Sequence, residues 1–207
     1  RLKLIEIKNL GDVGWTSFED AFAGCTELRA IAGGTLSGVT NMKGMFSGAS
    51  HAPISFRAAT QGWDTSKVTD MSSMFVNSSS ANGQRPPQIG RWDTGEVIAM
   101  DSMFQGSFLN PDVRDWDVRK LETARAMFNG ADYATPDTSR WVTSRLRVSA
   151  YMFATTQSAN PDVANWDTSQ LFSMKAMFAN AAKAEPNTSA WNTSLVEYMS
   201  DAFKSTP

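Results

Sequence analysis

Four aspartates each follow a tryptophan directly, namely Asp64, Asp93, Asp117 and Asp167. If copies of this position stack about 5 Å apart, as neighbouring strands do, their carboxylates repel one another unless a cation lies between them. Calcium prefers such oxygen ligands. Aspartate beside Thr or Ser is also a common turn former, and Val142 and Asn192 interrupt the ladder. We therefore predict no metal and no cofactor, with calcium at these four aspartates as the alternative.

The residues that nucleophilic catalysis requires are scarce. His51 is the only histidine and Cys25 the only cysteine. The repeating positions therefore supply no Ser/His or Cys/His pair of nucleophile and base. No isolated carboxylate pair stands out among the 21 acidic residues either. We predict that the chain is not an enzyme, and a carbohydrate-active enzyme is the weaker alternative.

The positions just before each tryptophan vary in type, which is where a ligand-binding surface would be encoded in a repeat protein. We predict ligand binding by the residues at these positions: Arg91, Arg114, Asp115, Arg140 and Asn165. Arginine is enriched at interface hot spots. The same part of the chain is also rich in aspartate, so neutralisation of these charges within the surface is the alternative.

One structural unit recurs along the chain and must position all these residues. Six of the seven tryptophans are followed twelve residues later by a phenylalanine. The pairs are Trp63/Phe75, Trp92/Phe104, Trp116/Phe128, Trp141/Phe153, Trp166/Phe178 and Trp191/Phe203. From Trp92 onward the interval between tryptophans is 24 or 25 residues, a period typical of stacked repeats. All eleven methionines lie eight or eleven residues after a tryptophan, or at the equivalent Met42 and Met45. We expect these methionines and the tryptophans to form the core.

The apolar spacing within each unit predicts a short helix. Counted from the tryptophan, positions 5, 8, 11 and 12 are mostly apolar, which matches one face of a helix running from about position 4 to position 13. Thr or Ser at positions 2 and 3 would cap its start. At position 14, Asn77, Gly106, Gly130 and Asn180 tolerate the left-handed conformation that ends a helix, whereas Thr155 and Ser205 do not fit. Pro and β-branched residues upstream predict a short extended segment. The fold class is therefore an α/β repeat, a solenoid of about 25-residue coils.

The repeats divide the chain unevenly. Residues 1–33 are predicted to form an N-terminal cap with the first helical unit, and residues 34–207 the solenoid repeats of one repeat domain. Two longer intervals, 48–62 and 78–87, are expected to project as loops. Because the chain begins at Arg1 without a signal peptide, we expect a processed chain or an excised fragment.

Overall composition argues against nucleic-acid binding and against a membrane-spanning segment. The formal charge is −2 and the pI about 5.4, so no basic footprint for nucleic acid is present. No apolar run of about 18 residues occurs, so we predict no transmembrane segment.

The phrase WDTS-x-V-x-x-M-x-x-MF, seen in Trp63–Phe75 and with Leu for Val in Trp166–Phe178, resembles the BspA-like repeat family of bacterial surface proteins. The lead-in Gly11–Cys25 is similar to that family as well. The resemblance implies a right-handed leucine-rich-repeat-like solenoid, extracellular or at the cell surface, with an adhesive or protein-binding role. The expected function is a surface adhesion module that recognises a host, prey or neighbouring-cell protein or glycan, as part of a larger surface protein. A structural spacer or stalk that presents another adhesive domain is the alternative.

Overall fold

A computed structural model describes residues 4–28, 30–49, 63–79 and 89–207. It contains two short strands, β1 (Glu6–Ile7) and β2 (Ala30–Ile31), which pair in parallel with Glu6 opposite Ala30 and Ile7 opposite Ile31. No helix occurs in the part of the chain that is described. The remaining residues form turns and isolated bridges.

Parallel bridges join each coil to the next. Each bridging residue lies five positions before a repeat phenylalanine. The bridges are Ser17–Asn41, Asn41–Asp70, Asp70–Ala99, Ala99–Thr123, Thr123–Val148, Val148–Ser173 and Ser173–Tyr198. Because one position pairs with its own copy at every junction, the repeats stack in register. The prediction of stacked repeats is thus confirmed.

The segment around each phenylalanine is a run of turns, in which every second backbone N–H group donates to a carbonyl of the next coil. In the coil of Phe128, four N–H groups donate to carbonyls one coil further on. They are Ala124 to Val148 (2.9 Å), Ala126 to Ala150 (2.8 Å), Phe128 to Met152 (2.8 Å) and Gly130 to Ala154 (2.9 Å). The intervening N–H groups close turns within the coil, as when Met127 donates to Ala124 (3.2 Å) and Asn129 to Ala126 (3.1 Å). An α-helix would instead direct every N–H to the carbonyl four residues earlier.

The predicted α/β solenoid with a helix in each coil is therefore wrong. Left-handed residues reverse the chain twice per coil, at Ala126 (φ 53°) and Gly130 (φ 66°) in the coil of Phe128, and a helix cannot pass through such residues. The turns still bring every third or fourth side chain inward, which is why the apolar spacing imitated a helix. The extended segment before the tryptophan is also replaced by a turn, since Trp116 N–H donates to Val113 (3.2 Å).

The left-handed conformation predicted two residues after the phenylalanine is confirmed, although it shapes a turn and ends no helix. Asn77, Gly106, Gly130 and Asn180 have φ of 52°, 62°, 66° and 57°. Thr155 and Ser205, which the sequence had excluded, adopt it too, at 57° and 55°. The backbone of the coil therefore imposes this conformation even on residues that disfavour it.

The phenylalanines form one continuous stacked column through the core. Their neighbouring ring centroids are 5.4–5.8 Å apart from Phe22 to Phe203. The rings from Phe46 to Phe178 are fully buried. The repeat methionines pack in the same cluster except Met199, which is 52% exposed in the last coil. The prediction that methionine and tryptophan fill the core is thus confirmed for the stacked coils.

Several predictions concern residues beyond those described. The two expected loops fall largely on residues 50–62 and 80–88, and His51 lies there as well. The division at residue 33 stays a prediction. Among the described residues, there is no helix whose length and hydropathy would allow it to span a membrane.

Candidate ligand-binding surface

Four tryptophans, Trp116, Trp141, Trp166 and Trp191, donate their indole N–H to a carbonyl of the preceding coil, and the buried rings are not a ligand platform. The Val113 carbonyl accepts the backbone N–H of Trp116 (3.2 Å) and the indole Nε1–H of Trp141 from the next coil (2.9 Å). Thr138 accepts from Trp141 and Trp166 in the same way (3.1 and 3.4 Å). The exposed fraction of Trp92, Trp116, Trp141 and Trp166 is 2–4%. The rings of Trp116, Trp141 and Trp166 therefore each link two coils, whereas the buried indole N–H of Trp92 has no hydrogen-bond partner among the described residues.

The threonines expected to cap a helix also bridge coils. Thr65, Thr94, Thr143 and Thr168 each donate their hydroxyl to the carbonyl directly after the next tryptophan, over 2.9–3.1 Å. All four side chains are buried. Burying a hydroxyl costs free energy unless it finds a partner, so the distant carbonyl explains why a polar residue recurs here.

Each member of the aspartate ladder stabilises a turn in its own coil. Asp64, Asp93, Asp117 and Asp167 accept the backbone N–H two residues ahead, at 3.0–3.1 Å. Hydrogen bonds from the side chain and backbone of Ser66 lower the pKa of Asp64, and those of Ser169 lower that of Asp167. The side chain of Arg119 is the main cause that lowers the pKa of Asp117. Among the described residues, no three His, Cys, Asp or Glu side chains are grouped to hold a metal.

The predicted ligand-binding residues lie on one exposed face, and part of them form ion pairs between coils. Arg114 Nε lies 2.7 Å from Asp137 Oδ2, and Arg140 Nη1 lies 2.8 Å from Asp115 Oδ1. Hydrogen bonds from Ser139, together with Arg114, lower the pKa of Asp137 to about 2. Such exposed pairs contribute little to stability, because water screens both charges.

Arg91 and Asn165 are also exposed, in coils on either side of the ion-paired residues. Beside the pairs lies a depression of about 290 Å³, lined in part by Arg119, Arg140 and Val142. The predicted residues are therefore exposed, and Arg114, Asp115 and Arg140 are paired with opposite charges. Ligand binding by these residues stays a prediction.

A second surface site was missed by the sequence interpretation. It consists of Arg125, Tyr151, Phe172, Lys175 and Tyr198, called here the Tyr151 cluster. These residues, with Val148, Ala150 and Ser173, line a depression of about 350 Å³ across four consecutive coils. The Arg125 guanidinium carbon and the Lys175 Nζ each lie 5.9 Å from the centre of the Tyr151 ring. Phe172 and Tyr198 meet edge to face at 5.2 Å.

Tyr151 is strained and departs from the pattern of its position. It lies two residues before Phe153, with φ of 61°, a conformation in which a bulky side chain is an outlier. Five other coils have small residues at this position, Gly44, Ser73, Ser102, Ala126 and Ala176, and the first and last coils have Asp20 and Asp201. A large aromatic where five coils have small residues is the signal that could have identified the site.

The side chains that line the depression include two cations and no carboxylate. Arg125 and Lys175 occupy the same position of their coils, three residues before the phenylalanine, with the small Ala150 between them. No carboxylate is among the residues that line the depression. Asp101, one coil earlier, accepts the backbone N–H of Arg125 (2.7 Å). The arrangement can attract an anionic group and contact an apolar surface with its rings.

The fold and the surface define a stacked-repeat protein in which the exposed side chains of the two candidate surfaces lie at positions that vary between coils. The chain belongs to the family described as Mycoplasma protein of unknown function, DUF285, whose model matches residues 16–141 and 133–207. No curated protein and no solved structure matches it. The match confirms only the coarser part of the expected relationship, membership of a bacterial protein family, and does not test the resemblance to BspA-like proteins. The leucine-rich-repeat-like fold with a helix in each coil is wrong, because no helix occurs among the described residues.

Proposed function

We propose that this chain is a non-enzymatic binding module at a bacterial cell surface that recognises a protein or glycan. The observation that carries the proposal is the Tyr151 cluster, in which a strained aromatic residue is flanked by two cations at a position where five other coils have small residues. The side chains of the repeating residues are buried or form bonds within the fold. The non-repeating residues are therefore the ones available to bind a partner. The proposal includes an adhesive role like that of BspA-like surface proteins, an extracellular location, and a partner on a host, prey or neighbouring cell.

The test is a binding array of glycans and surface proteins, probed with the whole chain with and without calcium. Tyr151→Gly removes the ring, and glycine adopts the local φ without strain. Arg145→Gln is the matched control, because Arg145 is exposed and does not line the depression. We expect at least one ligand that the wild type and Arg145→Gln retain and Tyr151→Gly loses. An array without any ligand, or hydrolysis of glycans by the chain, contradicts the proposal.

A spacer or stalk is the second candidate, favoured by the ion pairs between coils. If Arg114 and Arg140 only hold coils together, their substitution by glutamine leaves adhesion unchanged, and deletion of whole repeats shortens the displayed length. If the face they form also binds, the same substitutions weaken adhesion while thermal stability changes little, since exposed ion pairs contribute little.

A further inference from the structure

We infer that the Tyr151 cluster binds a sugar that carries a carboxylate. The inference rests on the proposed binding function and adds the chemical class of the ligand. It follows from three features of the site: two cations without a lining carboxylate, the exposed aromatic ring of Tyr198, and backbone N–H groups that already donate to neighbouring coils.

The two charged residues that line the depression, Arg125 and Lys175, are both cations. Arg125 and Lys175 lie in coils on either side of that of Ala150, and both approach the Tyr151 ring. The methyl group of Ala150 leaves the space between them open, and Ala150 itself lines the depression. In a chain whose net charge is −2, a depression lined by two cations and no acid selects for negative charge.

The aromatic side chains supply the apolar contact that a sugar ring needs. Tyr198 is 52% exposed, and Phe172 fixes it by the edge-to-face contact. An aromatic ring with one polar end can pack against the C–H face of a pyranose while its hydroxyl group stays in water. The cations cover the Tyr151 ring, so Tyr151 holds them in place beside the exposed Tyr198.

The backbone at the site argues for a sugar over an extended peptide. Peptides that add to an exposed edge bind through free main-chain groups. Here Tyr151 N–H donates to Lys175 (2.8 Å), Ser149 N–H to Ser173 (2.9 Å) and Ser173 N–H to Arg147 (3.1 Å). The depression therefore presents side chains to a ligand, and side chains are sufficient for a carboxylate and a sugar ring.

The experiment is a calorimetric titration of the whole chain with three probes. The first is a tetrasaccharide of alternating glucuronic acid and N-acetylglucosamine. The second is the same molecule after its carboxylates are reduced to alcohols, and the third is a hexaglutamate peptide. We expect the wild type to bind the first probe most tightly and to lose affinity as salt is raised. The double variant Arg125→Gln/Lys175→Gln should bind about tenfold more weakly, as expected when two partly exposed charged contacts are lost.

The controls separate this inference from the proposed function. Arg145→Gln should retain wild-type affinity for the tetrasaccharide, and Tyr198→Ala should lose it. Equal binding of the reduced tetrasaccharide, or tighter binding of hexaglutamate, overturns the carboxylated sugar and leaves a binding site at the Tyr151 cluster. If the array yields a ligand that Tyr151→Gly retains, the site itself is refuted along with the inference, while binding by another surface stands.

Discussion

Replacing Phe128 by alanine tests the aromatic column at its most enclosed point. Phe128 is fully buried and stacks on Phe104 at 5.4 Å and on Phe153 at 5.7 Å, with the ring planes within 10° of each other. Removing it leaves a cavity and breaks two ring contacts. Buried phenylalanines truncated to alanine lose about 3–5 kcal/mol of stability, and the regular stacking on both sides favours the upper part of this range.

The matched control is the last ring of the same column. Phe203 contacts Phe178 at 5.7 Å on one side only and is 42% exposed. Since roughly half of its surface is already in water, Phe203→Ala should cost about 2 kcal/mol. Urea unfolding followed by tryptophan fluorescence measures both variants. A cost below about 1 kcal/mol for Phe128→Ala, or equal costs for the two variants, would refute the column as the main source of stability.

Three further changes test the coil itself. Gly130→Ala should lose about 1–2 kcal/mol, because Gly130 has φ of 66° and the added methyl group meets no close atom, so that backbone strain alone is added. Trp141→Phe should lose about 1 kcal/mol, since it keeps a ring but leaves the buried Val113 carbonyl without the indole donor. Asp137→Asn should make the stability of the fold less sensitive to acid. The pKa of Asp137 is lowered to about 2, so its ionised form stabilises the fold above about pH 4. This contribution disappears as the pH falls towards 2.

Each of these changes has a contrary result. Gly130→Asn is the control for Gly130→Ala, because Asn77 and Asn180 adopt the left-handed conformation at the equivalent position, and equal losses would show that strain is not the cause. An unchanged unfolding midpoint for Trp141→Phe would mean that the bond between coils is not needed. For Asp137→Asn, stability differences from wild type that stay constant between pH 5 and pH 2 would contradict the assigned pKa.

The sequence predicted the stacking and the core, because both depend on which side chains recur and not on how the backbone turns. Nearly every coil has apolar residues at the two adjacent positions that Met127 and Phe128 occupy in theirs, and any compact backbone must bury such residues. The helix was wrong because spacing of three and four residues is common to helices and to consecutive turns. What distinguishes them is the conformation of Ala126 and Tyr151, and alanine and tyrosine carry no sequence signal for positive φ.

The candidate site was predicted only in part, for a related reason. Arg114, Asp115 and Arg140 were found because they vary at a fixed distance from tryptophan. Their pairing across coils depends on which side chains become neighbours, and a list of residue types does not specify this. Tyr151 was missed because a helix would have made its position ordinary, whereas the turn makes a large side chain there costly.

The most direct test of the central claim measures binding and unfolding on one variant, Tyr151→Gly. The claim is that repeating residues hold the fold and that the residues departing from the repeat bind the ligand. Loss of the ring contacts and relief of the strained φ should roughly cancel. The account predicts an unfolding midpoint close to wild type together with loss of the array ligand. Retained binding, or loss of binding that accompanies unfolding of the chain, would contradict it.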